Sequence, residues 1–124
     1  MATVEIPRDQ WTVRLDEFTV RHDAWLVSVD VLTGMGALRE FENLPLLGVS
    51  ADRSSDGGTI LMSAARAPNA HITHAVHGVT RVSLEQTAEG ADAALLVDSA
   101  DGTRTVLRFR TATLPETVDG VVRR

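Results

Sequence analysis

The 124-residue chain has no cysteine, no lysine and no tyrosine, and its whole aromatic complement is Trp11, Phe18, Trp25, Phe41 and Phe109. Without cysteine there is no disulfide frame, no thiolate metal site and no thiol nucleophile, so stability has to come from packing. Every basic residue is arginine, and the formal charge of −5 opposes nucleic-acid binding, which needs a positive field and profits from aromatic platforms. No apolar run approaches the ~18 residues of a membrane span. The opening "MATVEIPRDQW" also lacks the positive start and apolar run of a secretory signal. These absences predict a cytoplasmic protein with no nucleic-acid or membrane partner. A compact domain of this length still buries roughly two thirds of the surface its unfolded chain exposes, enough for one core.

What is present reads as one helix followed by strands. In "IPRDQWTVRLDEFTVRHD", Pro7 suits a first helical position, and Trp11, Leu15 and Phe18 recur at helical spacing. Arg14, Glu17 and Arg21 fall off that stripe, and Glu17 and Arg21 form an i,i+4 pair. "AWLVSVDVL" then alternates, with Trp25, Val27, Val29 and Val31 on one face. "ALREFENL" is the next strand, which Pro45 should interrupt because proline cannot donate to a ladder. "LLGVSADR" follows, with Leu47, Val49 and Ala51 on one side, then a glycine turn at "SSDGG" and a return strand at "TILMSAA". "VTRVSLEQT", "ALLVDS" and "RTVLRFRT" close the chain as a three-strand meander.

A two-residue turn at Asp101 and Gly102 would set Leu96 opposite Leu107, Ala94 opposite Phe109 and Val97 opposite Val106. Both faces of that hairpin then carry apolar pairs, so something must cover the second face: a further sheet layer, a barrel interior or a partner subunit. The expected fold is α+β, an N-terminal amphipathic helix packed on a six- to seven-stranded antiparallel meander sheet able to curl into an open barrel. Residues 1–111 form its single domain and 112–124 a loosely docked tail.

"HITHAVHG" holds three of the four histidines. In a strand, His71 and His77 share a face about 20 Å apart and His74 points the other way, which rules out a shared metal. In a two-turn helix, capped by Asn69 and ended by Gly78, His71 and His74 become neighbours but need a third ligand such as His22, Asp52 or Glu85. The β-branched Ile72, Thr73 and Val76 favour the strand. His22 itself reads as a helix-terminal residue suited to the macrodipole.

The strand "RTVLRFR" aligns Arg104, Arg108 and Arg110, a stripe of guanidinium forks that suits a small anionic ligand. Cross-strand pairing of those arginines with Glu85 or Asp98 is the commoner arrangement. "GVSAD" lacks the second glycine of a nucleophile elbow, "GMGALR" has Arg39 where a dinucleotide loop needs glycine, and the Asp-Gly stretches lack the acids of a calcium loop. No catalytic residue, cofactor or metal is expected.

Across residues 5 to 111, the segments "IPRDQW", "LDEF", "HDAWLVSVDV", "LPLLGVSAD", "HITH" and "TRVSLEQTAEGADAALLVDSADGTRTVLRFR" resemble a family of short bacterial proteins filed as a domain of unknown function. The shared segments are mostly helix, strand and turn positions, so the resemblance implies a fold and no reaction. His71 and His74 match its pattern better than His77. The leading expectation is a non-enzymatic binding or interaction module, dimeric through the second apolar face of the meander, with His71 and His74 as ligand-binding candidates. The rival is a small metal- or ligand-dependent enzyme using His71, His74 and His22.

Overall fold

Pro7 has φ −58°, already suited to helix entry. The chain makes a 3-10 turn at Arg8–Gln10 and then helix α1, Trp11–Arg21, whose Trp11, Leu15 and Phe18 are buried as their spacing predicts. This computed structural model describes residues 2–52 and 58–113, so the expected turn at "SSDGG" falls mostly outside the described residues, as does the tail from 114 onwards.

Eight strands follow the alternating stretches: β1 (Ala2–Ile6), β2 (Leu26–Thr33), β3 (Gly36–Asp52), β4 (Thr59–Ala67), β5 (Ala70–Val76), β6 (Val79–Gln86), β7 (Asp92–Ser99) and β8 (Arg104–Thr113). They form one open antiparallel sheet in the order β1-β6-β7-β8-β2-β3-β4-β5. The α+β architecture holds, but the strand count and the single meander need correction. β1 was not foreseen: it adds to the sheet beside β6, with Ile6 opposite Val82. Two meanders, β2–β5 and β6–β8, are joined where β8 lies against β2.

Proline does not end the strand it was expected to break. β3 runs straight through Pro45, pairing with β2 up to that residue and with β4 from Leu46 onwards. A residue without an N–H is tolerated where a strand changes partners. A register shift between Leu46 and Gly48 puts Leu46, not Leu47, into the core with Val49, and leaves Leu47 46% exposed. Beyond the exchange, one side of Val49 has lost its strand neighbour. Thr19 of α1 replaces it: its hydroxyl accepts from the Val49 amide at 2.9 Å and donates to the Val49 carbonyl at 3.0 Å.

The β7–β8 hairpin is one residue out from the expected register. Leu95 faces Leu107, Leu96 faces Val106 and Ala94 faces Arg108, because the turn spans three residues, with Ser99 accepting from Gly102 and donating to Thr103. Gly102 supplies the φ of +92° that a three-residue loop demands of its last position. Leu95 and Leu107 join the main core, while Ala94, Leu96 and Val106 form a second buried cluster on the opposite face with Leu32. Ala94, Leu96 and Val106 are all buried on that second face.

Candidate cleft at the open end of the sheet

Side chains alternate along a strand, so the face that carries Val27, Val29 and Val31 on β2 also carries Phe109, Leu107 and Thr105 on β8, their register partners. On β7 the same face carries Leu95, Val97 and Ser99. Helix α1 covers the apolar end, where Phe18 meets Phe109 at 5.6 Å between ring centres. Towards the other end, valine and leucine give way to Thr105 and Ser99.

A cleft of about 300 Å³ opens there, with Val31, Leu38 and Val76 as apolar wall and Glu40, His74, His77 and Asp101 as polar rim. Glu40 and His74 lie on strands whose pairings are remote. They meet because β4 and β5 fold back over the first half of β3, bringing His74 Nδ1 to 3.6 Å from Glu40 Oε1. That is a charge contact but too long for a hydrogen bond. At the floor, Thr105 is 2% exposed and Ser99 9%, yet neither hydroxyl has a hydrogen-bond partner among the described residues. Because no fully enclosed side-chain polar atom goes unpaired, these two hydroxyls open onto the cleft.

A second cleft, between α1 and β3, holds about 250 Å³. Two of its hydroxyls are already engaged, Thr19 with Val49 and Ser63 with Thr73 at 2.8 Å, and the third, on Ser50, belongs to an exposed residue.

The histidine segment is extended, as its β-branched residues favour, and its side chains part accordingly. His71 faces outward and exposed, His74 turns into the cleft, and His77, beyond the strand, lies 3.3 Å from the Thr59 hydroxyl. Among the described residues, no three of His, Asp and Glu converge as a metal would need. Arg104, Arg108 and Arg110 share the opposite, convex face and are exposed. The Arg104 fork is taken by Asp98, at 2.6 and 3.2 Å, the cross-strand pairing that competes with anion binding. Next to that stripe, Arg39 grips Asp30 at 2.7 and 3.0 Å.

The model of DUF5335, a family of unknown function, matches residues 2–117. The chain belongs to this family. No curated protein matches the chain, and no solved structure does. No helix among the described residues is long and apolar enough to cross a membrane.

One polar cluster of this DUF5335 chain escaped the sequence reading. The spacing suits His22 to the helix terminus and singles out nothing at Asp92, but both are buried and in contact, Nε2 to Oδ2 at 3.2 Å. The Nδ1 of His22 lies 2.8 Å from the Phe18 carbonyl. Three of the five aromatic rings, Phe18, Trp25 and Phe109, enclose the imidazole at 4.5 to 4.6 Å. Asp92 also accepts from Gln86 at 2.9 Å and Arg21 at 3.2 Å. Arg21 therefore reaches across to β7, and the salt bridge along the helix is Arg14 to Glu17 at 3.8 Å, not the expected Glu17 to Arg21. Burial pushes the Asp92 carboxyl up, but the hydrogen bonds from His22, Gln86 and Arg21 and the Arg21 charge outweigh it and hold it at about 2. A sequence signal existed: 11, 15, 18 and 22 continue one helical stripe, so His22 belonged to the buried face. With both partners sealed from solvent, this cluster braces the core and offers no access to a substrate.

Proposed function

We propose that the chain is a small binding module that takes a low-molecular-weight polar ligand into the cleft beneath His74. The observation that carries this reading is the pair of unengaged, nearly buried hydroxyls on Thr105 and Ser99. A ligand atom placed at these hydroxyls gains hydrogen bonds that no protein group supplies, each worth about 0.5–1.5 kcal/mol net. The cleft volume of about 300 Å³ is at the lower end of small-molecule sites, which favour the mouths of curled sheets and combine an apolar wall with a few polar groups. His74 serves this reading directly, whereas His71 and the convex arginines lie outside the cleft.

Thermal melts against a panel of small amines, polyols and carboxylates test it, because a ligand that binds only the folded state raises the melting temperature. At least one class should stabilise the native protein and lose its effect in Thr105→Val. That substitution removes the hydroxyl at nearly constant shape, so the variant itself should melt no lower than the parent. A panel that leaves the native melt unmoved overturns the reading.

A further inference from the structure

We propose that the cleft selects an organic cation, an ammonium group carried on a short apolar body. The inference rests on the binding reading above and adds the class of ligand. Its first support is the sign of charge around the opening. Arginine supplies all the fixed positive side-chain charge of the chain, yet among the described residues no arginine lines the cleft, while Glu40 and Asp101 both do. An anion entering would meet two carboxylates and no guanidinium.

Second, the carboxylates have capacity to spare. Glu40 touches His74 only at 3.6 Å, beyond hydrogen-bonding range, so its oxygens are available to a stronger donor. Asp101 Oδ1 accepts from the Thr103 amide at 3.0 Å and the Thr103 hydroxyl at 2.8 Å, and its Oδ2 has no hydrogen bond. Those two Thr103 hydrogen bonds hold the Asp101 carboxyl below the usual carboxylate range.

Third, the uncharged surfaces fit the same ligand. An ammonium has three donors and no acceptor, and the Thr105 and Ser99 hydroxyls present lone pairs at the floor. Val31, Leu38 and Val76 offer a hydrocarbon body the rest of its contact. Among the described residues, the charged and titratable groups that face this space are Glu40 from β3, His74 and His77 from β5 and its exit, and Asp101 from the β7–β8 turn.

Three probes of one size separate the outcomes: n-butylammonium, n-butanol and butyrate, titrated into 15N-labelled protein at pH 8 while the amide signals of His74, Ser99 and Thr105 are followed. Butylammonium should shift those signals and bind at least about tenfold more tightly than butanol, with butyrate weaker still. Glu40→Gln, folded by the same spectrum, should weaken butylammonium by about tenfold, the scale of one charge-assisted hydrogen bond. If butanol or butyrate shifts the signals as strongly, the cation preference is overturned and the binding module stands. If Glu40→Gln binds butylammonium as the parent does, the assigned role of the carboxylate is overturned. If no probe moves these amides, both the cation preference and the cleft as a binding site fall.

Discussion

His22 and Asp92 lie 70 residues apart in the chain, yet the imidazole Nε2 of one sits 3.2 Å from the carboxylate Oδ2 of the other, with both side chains at most 2% exposed. Each ring nitrogen of His22 faces an oxygen that can only accept, the Phe18 carbonyl at Nδ1 and the ionised Asp92 at Nε2. Both contacts are satisfied together only by the doubly protonated ring. The pair fastens the end of α1 to the start of β7.

Removing one member of a buried ion pair strands the other in the core. Asp92→Ala should therefore lower the unfolding free energy by about 3–5 kcal/mol, measured by chemical denaturation. Asp92→Asn should cost less, since its amide can donate to a bare ring nitrogen of neutral His22. In the parent protein, 15N spectra should find both His22 ring nitrogens carrying hydrogen; a neutral ring there would refute the assignment.

Acid should act through the same carboxylate. The Asp92 carboxyl has the ordinary pKa of 3.8 in the unfolded chain and about 2 in the fold, so the unfolded state binds its proton first as pH falls. The stabilisation is full above about pH 5 and drains away between about pH 4 and pH 2. It amounts to about 2–3 kcal/mol. Denaturation curves collected across that window should lose this increment, and Asp92→Asn should flatten the dependence.

Thr19 makes a separate prediction. Its hydroxyl satisfies both main-chain groups of Val49 where β3 has left β2. Thr19→Val keeps the shape but takes away both contacts, and should cost about 2 kcal/mol, within the usual 1–3 kcal/mol for stranding a buried polar group. Hydrogen exchange at the Val49 amide should quicken at the same time, whereas exchange in the β7–β8 hairpin should not.

Much of the fold was legible in short windows. The helix stripe of Trp11, Leu15 and Phe18, the alternation in β2, and the extended histidine segment all follow from local periodicity and β-branching. The failures have local causes too. The expected two-residue turn and the three-residue one share the same Asp-Gly pair, so composition could not separate them, and one residue of difference exchanged Leu107 for Val106 opposite Leu96. Pro45 read as a breaker because a window cannot reveal that β3 changes neighbours there.

The sequence alone determined which elements form and which face of each is apolar, because backbone propensity and side-chain alternation act over a few residues. Tertiary structure decided what those faces meet. Folding β4 and β5 back across β3 brought His74 to Glu40, and laying α1 against β7 and β8 enclosed His22 with Asp92. Such encounters depend on the path of the chain between distant segments, and only the bend of β3 and the pairing of β8 with β2 set that path.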